Sequence, residues 1–322
     1  MSEATAASRF PTFLRGIRPG LVAVAALLVI LYVIGAAVSD RFNRPANLLN
    51  VYEQSTALAL VSLGQTVAIL SGGIDLSVGS MISFLSVLCS GTIGGNADRV
   101  LWVVPGIIAL GAALGAINGA AVVLLRVHPL IVTLGMGAIL QGMTLLYSLT
   151  PPGSVPDGFD FFAYGRLFGV PVGATVAVGL FVLTALFLRY QRYGRYIFAV
   201  GADHAAATLM GLPRSRVLLL VYGFSGACAA AGALALVSRF GVGQPYAGYN
   251  FTLGSITPVV VGGTLLSGGV GGVMGTLLGT YLIGLIYNVL NYMDISTEWQ
   301  LVVQGLVVIL AVSVYVERRK SV

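Results

Sequence analysis

Ten stretches of this 322-residue chain are apolar for about the length a helix needs to cross the hydrocarbon core of a bilayer, roughly 20 residues. They lie near 20–38, 48–70, 75–94, 101–125, 130–149, 171–190, 217–237, 252–266, 271–291 and 300–316, the eighth being the shortest. Hydrophobic residues make up 57% of the chain and charged residues only 9%, against about 25% charged in a typical soluble domain. A soluble core cannot hide so much apolar surface, so lipid is the solvent for most of the chain. A cytosolic enzyme, a nucleic-acid binder and a secreted domain are thereby excluded. Because lipid offers backbone groups no hydrogen bonds, apolar runs of this length must be helices. The expected fold is an all-α polytopic membrane protein with about ten transmembrane helices.

Basic residues set the orientation, since Lys and Arg are retained in cytoplasmic loops. With the N-terminus inside and strict alternation, twelve of the seventeen basic residues fall inside, and Arg41, Arg44, Arg99, Arg166 and Arg239 fall outside. An even span count puts both termini in the cytoplasm. The expected organisation is a tail over 1–19, one transmembrane domain over 20–316 and a second tail over 317–322. The first apolar run, behind basic residues and ahead of "GAAVSD", has the look of a secretory signal, but its length and the spans that follow favour an uncleaved anchor. Cys89 and Cys228 lie in apolar runs without CxxC spacing and read as packing residues. Glycines inside spans, as in "GIIALGAALGAINGA", let helix backbones approach closely.

Three stretches depart from ordinary spans. In "GQTVAILSGGIDLSVGSM" (64–81), Gly72 and Gly73 interrupt an apolar run and Asp75 follows. A charge at the bilayer centre costs about 2.5–3.5 kcal/mol on insertion scales, so Asp75 needs a partner, water or an edge. A broken helix that lines a cavity or lies within protein provides such a place. Asp75 also suits the cap of a helix starting near Leu76, accepting the amide of Ser77 or Val78. Gly72, Gly73, Asp75, Ser77 and Gly79 are the broken-helix and pore candidates. In "VVVGGTLLSGGVGGVMGTLLGT" (259–280), Ser267, Gly268 and Gly269 echo Ser71-Gly72-Gly73 and hint at an internal duplication. The loop at about 190–216 is far longer than a connector needs. Within it "ADHAAATLM" reads as a short helix that Asp203 caps and Gly211-Leu212-Pro213 stops. That helix either rests on anionic headgroups or forms a knob for a cytoplasmic partner.

The chemistry of the side chains is sparse. Lys320 is the sole lysine, so no phosphate-binding GxxxxGK[ST] loop exists and ATP is not bound by that route. Asp75 is the one acid expected deep in a span, which leaves no relay of the kind proton-coupled carriers use. Gly223-Phe224-Ser225-Gly226 resembles the rhomboid protease nucleophile motif, but no histidine follows to act as base. It reads as small residues on a packing face. No catalytic, cofactor-binding or metal-ligating set is assigned, and this chain is expected to bind no cofactor. The polar residues within spans are mostly neutral. Among them Gln65, Asn118, Gln141 and Asn288 could exchange hydrogen bonds with a polyol-like solute and strand no charge, or could serve as interhelical links.

From about residue 40 to 316 the chain resembles the membrane permease subunits of bacterial ABC importers for monosaccharides, the ribose-permease family. The resemblance rests on "VAILSGGIDLSVGSM", "GRYIFAVGADHAAATLMGL", "VVVGGTLLSGGVGGVMGTLLGTYLIGLIYNVLN" and "EWQLVVQGLVVILAV". It implies a multi-pass protein of the bacterial inner membrane and a partner ATPase subunit that carries the ATP and magnesium. It further implies an extracytoplasmic sugar-binding protein and a second permease chain, identical or related. Asp203, Ala205, Ala206, Leu209 and Gly211 match the family's coupling segment, with Asp203 in place of a usual Asn and Met210 of a usual Ser. The alternatives are an ABC permease for branched-chain amino acids or nucleosides, whose members share a GGxDLSVG-like break, and an ion-coupled secondary carrier.

Overall fold

The computed structural model describes residues 19–320. The expected tail over 1–19, with Arg9, Arg15 and Arg18, lies outside the described residues except for Pro19. Fifteen helices and one small hairpin follow in chain order. The first half contains α1 (Pro19–Val38), α2 (Pro45–Gln54), α3 (Thr56–Leu70), α4 (Val78–Ile93), α5 (Ala97–Leu125), α6 (Pro129–Tyr147) and α7 (Phe161–Tyr164). The hairpin pairs β1 (Arg166–Leu167) with β2 (Val170–Pro171), antiparallel. The second half contains α8 (Val172–Tyr190), α9 (Arg192–Ala202), α10 (His204–Leu209), α11 (Arg214–Phe240), α12 (Phe251–Gly254), α13 (Ile256–Val261), α14 (Val273–Tyr292) and α15 (Thr297–Lys320).

Among the described residues five helices, α5, α6, α8, α11 and α14, are long and apolar enough to cross a membrane, and five shorter apolar stretches accompany them. Two of the runs expected to span are interrupted. The run at 48–70 breaks at Ser55, whose hydroxyl donates to the Val51 carbonyl at 2.8 Å. Such back-bonding by serine competes with the helix ladder and bends it. The run at 252–266 is helical only as α12 and α13, and Gly262 and Gly263 end it. At the far end α15 continues to Lys320, through the start of the expected tail at 317.

Small residues decide the core. Helix α11 runs through the middle and packs on α5, α3 and α4. Gly111, Gly115 and Gly119 recur at four-residue spacing on α5, one face of the helix, and meet the α11 backbone there. A Cβ at Gly115 would strike the Tyr222 carbonyl, and one at Gly226 the Gly111 carbonyl. The glycines of the rhomboid-like motif therefore act in packing, as expected of them. Cys89 and Cys228 are both free and buried. Polar residues join helices where packing alone does not: the Thr66 hydroxyl donates to that of Thr276 at 2.8 Å, tying α3 to α14. Asn47 and Asn288 exchange two amide bonds of 3.0 and 2.9 Å across α2 and α14.

The two halves repeat a local device. Helix α3 ends with Gly72 at φ +85°; the Gly72 amide donates to Ile69 O and the Gly73 amide to Ala68 O. Helix α13 ends the same way, with Gly263 at φ +87° donating to Val260 O and Thr264 to Val259 O. Both are Schellman ends, which need a left-handed residue just past the helix. Ser267-Gly268-Gly269, expected to echo Ser71-Gly72-Gly73, lies in the loop between α13 and α14. The same helix end also recurs after α10, where Gly211 donates to Thr208 O and Leu212 to Ala207 O, so it does not by itself mark a duplication.

Candidate functional site

Asp75 sits in the seven-residue interval between α3 and α4 with no exposed surface. One carboxylate oxygen accepts the Ser77 amide at 3.1 Å and the Ser77 hydroxyl at 2.6 Å. The other accepts the Ser225 hydroxyl of α11 at 2.9 Å. Of the two amides expected to be capped, Ser77 is the donor. The Asn118 amide of α5 donates to the Ser77 hydroxyl at 2.8 Å, and Thr133 of α6 donates to the Ile74 carbonyl at 3.2 Å. Three long helices therefore hold the interval by hydrogen bonds. Among the described residues the one ion pair is Arg166–Glu53, at 2.9 Å, so Asp75 is held by neutral donors.

Ser225 thus does more than pack. It is the hydroxyl that ties α11 to the buried carboxylate, and sequence reasoning missed this, although the motif had singled the residue out. Tyr222, one turn earlier, was not singled out at all. It is fully buried, its hydroxyl has no partner, and a Cβ at Gly73 would strike it. Gly79 lies against Gly248 and Thr252, joining the start of α4 to α12 and the segment just before it.

Removing the carboxylate strands three donors. A buried donor without an acceptor costs about 1–3 kcal/mol. Asp75→Ala is therefore expected to unfold at distinctly lower temperature in detergent. Asp75→Asn keeps one oxygen for Ser77 and should retain most of the stability. An alanine variant as stable as the wild type would remove the structural role of this network.

The second part of the site is a junction of glycines. The Gly269 amide donates to the Leu70 carbonyl, the last residue of α3, at 3.0 Å. A Cβ at Gly268 would lie 2.7 Å from both Gly72 Cα and the Gly201 carbonyl oxygen. A Cβ at Gly201, near the end of α9, would strike the Leu70 carbonyl and lie 2.8 Å from the Gly269 nitrogen. Three separate segments meet here through backbone alone.

From that junction the chain enters α10. Asp203 caps it, accepting the amides of Ala205 at 2.7 Å and Ala206 at 3.0 Å. These bonds, Ala206 first, hold its carboxyl below the usual carboxylate range. The contribution of this cap is full near neutral pH and drains as pH falls through the lowered value. Ala207 is buried, whereas Leu209 is 89% and Met210 78% exposed. Gly211, at φ +73°, ends the helix as the sequence predicts.

The four neutral polar candidates are not brought to one place. Asn118 belongs to the Asp75 network. Gln65 is fully buried and its amide is without a partner. Gln141 donates to the Pro245 carbonyl at 3.1 Å. Asn288 lines a cavity of about 250 Å³ together with Gln54, Asn250, Tyr287, Gln300 and Gln304. The Tyr287 hydroxyl donates to Gln304 Oε1 at 2.6 Å there.

The family model of branched-chain amino acid transport system / permease component matches residues 47–312. The ribose import permease protein RbsC of Escherichia coli (strain K12) is 35% identical over 292 residues, 89% of this chain and 91% of the relative. RbsC of Bacillus subtilis (strain 168) is 38% identical over 298 residues, 91% of each chain. The fructose import permease protein FrcC of Rhizobium meliloti is 33% identical over 306 residues, 92% of this chain and 85% of the relative. No solved structure matches the chain.

Proposed function

The chain belongs to the branched-chain amino acid transport system / permease component family, and we propose that within it the protein moves a monosaccharide into the cytoplasm as the membrane subunit of an ABC importer. Members of this family are transport components, not enzymes, and reside in the inner membrane as multi-pass proteins. The solute class comes from the relatives, whose names specify ribose and fructose and which match nearly the whole chain. The family's own description carries the amino-acid reading.

In this reading the ten apolar segments each cross once, both termini face the cytoplasm, and α9–α10 lies on the inner side with the arginine-rich loops. A partner ATPase binds ATP and magnesium, a solute-binding protein delivers from outside, and a second permease chain completes the path. The observation that carries the mechanism is the glycine junction. Helix α10 presents an apolar knob, and Gly201, just before it, touches the end of α3 and the Gly268-Gly269 loop. A push on Leu209 and Met210 is therefore delivered to the Gly72 turn and the Gly268 loop together. Two packings of these contacts would give inward- and outward-open states whose balance ATP shifts.

The test is uptake by liposomes holding the permease with its partner ATPase and binding protein. ATP-dependent accumulation of a labelled pentose or hexose is expected, with competition by sugars and none by leucine or nucleosides. The permease alone, under an ion gradient, should accumulate nothing. Concentrative uptake by the lone chain would replace this reading with a secondary carrier.

A further inference from the structure

A cavity of about 1080 Å³ opens between the α5–α6 turn, helix α10 and the start of α11. Arg126, His128, His204, Arg214 and Arg216 line it, with the backbone of Gly72 at its floor, and no acidic side chain does. Retention of arginine on the inner face accounts for basic residues in loops. It does not account for basic groups from three segments meeting at one hollow, nor for their state there. Arg214 Nε and His204 Nδ1 are both buried without a hydrogen-bond partner. The nearest carboxylate, Asp203, is engaged by the Ala205 and Ala206 amides. Burial, and next the charge of Arg214, hold the His204 imidazole below its usual value and favour its neutral form; the positive field comes from the arginines, and no carboxylate lines the cavity to neutralise it. Buried polar groups of native proteins nearly always find partners. Two that lack one, in a cavity where three arginines converge and no acidic side chain lines the wall, mark a place for an anion.

We propose that this cavity binds a phosphate ester. Guanidinium forks match tetrahedral phosphate oxygens two at a time, and three arginines suit a group carrying more than one negative charge. The hollow is far larger than inorganic phosphate, so it has room for the organic part of an ester. That ester has two sources on the inner side: a soluble sugar phosphate, the product of a kinase acting on an imported sugar, or the headgroup of an anionic lipid. Either would bridge His204 on α10 to Arg214 on α11 above the Gly72 turn and hold α10 still. The binding event does not depend on which solute the permease carries. Only the consequence for transport rests on α10 being the coupling helix.

The test uses the assembled permease and ATPase in nanodiscs. In phosphatidylcholine discs, a pentose 5-phosphate is titrated while thermal unfolding is followed, with sodium chloride at matched ionic strength as control. A second arm replaces part of the phosphatidylcholine with phosphatidylglycerol and omits the soluble ester. Stabilisation in the first arm supports the site with a soluble ligand, and stabilisation in the second alone supports it with lipid. In either case Arg214→Gln and the exposed Arg216→Gln should each weaken the effect about tenfold, the loss expected for one charged hydrogen bond. Arg41→Gln, remote from the cavity, should change nothing. No stabilisation in either arm, or stabilisation that both cavity variants retain, overturns the proposal. Loss of ATPase copurification in Arg214→Gln without any phosphate effect in the wild type also overturns it and assigns the cavity to a partner's acidic side chain. Unchanged sugar uptake by the wild type alongside any of these results leaves the transport reading standing, so the two fail separately.

Discussion

Leu209→Asp abolishes sugar uptake while the permease stays folded. Leu209 is 89% exposed and Met210 78%, an apolar tip left uncovered among the described residues, at the end of a helix whose start is fixed by Asp203. Exposed substitutions away from buried networks usually change stability by no more than about 0.5 kcal/mol. The same change at the centre of a docking surface acts as at a hot spot, where about 2–4 kcal/mol is lost, a factor of roughly 30 to 1000 in affinity. The expected observation is an unchanged unfolding temperature, loss of the copurifying ATPase and no ATP-driven uptake. Normal uptake by this variant would show that α10 is not where the ATPase takes hold.

Gly201→Val separates the engine from the gate. Its Cβ has nowhere to go: the Leu70 carbonyl and the Gly269 nitrogen occupy the space, and both are backbone. Forcing extra carbon atoms into a packed site typically costs about 1–3 kcal/mol, and here the displaced atoms belong to the turn at the end of α3 and to the loop before α14. The ATPase should still bind, because Leu209 remains on the surface, and should still hydrolyse ATP. Uptake should fall by at least about tenfold, the rate equivalent of 1.4 kcal/mol. Gly201→Ala should lie between. The decisive measurement is the ratio of sugar moved to ATP hydrolysed. A ratio equal to that of the wild type would mean that motion reaches the pore by another route.

Much of this was legible before any coordinates. Helix α10 could be read because its signals are local: an Asp cap, an alanine-rich run and a Gly stop fall within nine residues, and the chain obeys them. Asp75 could be read because a lone acid in an apolar run has to be accommodated. What could not be read is who accommodates it. Ser225 is 150 residues away from Asp75, and Asn47 is 241 from Asn288. Nothing in a periodic pattern of apolar residues says which faces meet. The end of α13 could not be read for a related reason. Gly-Gly occurs three times between 262 and 272, and only backbone hydrogen bonding tells which pair ends a helix. The kink at Ser55 was hidden because a serine in a helix either bonds outward or turns back on its own ladder, and composition is blind to the choice.

The glycine junction has a consequence for how this gene tolerates error. Every amino-acid replacement at Gly201, Gly268 or Gly269 adds at least one carbon atom where backbone already lies within 3 Å. No conservative choice exists, since nothing is smaller than the residue present. Random missense lesions should therefore cluster at these codons among alleles that make full-length, membrane-inserted, yet inactive protein. A saturation screen scored for growth on the transported sugar would show them as columns without a single surviving substitution, standing apart from exposed positions of α6 and α8 such as Ile131 and Leu183.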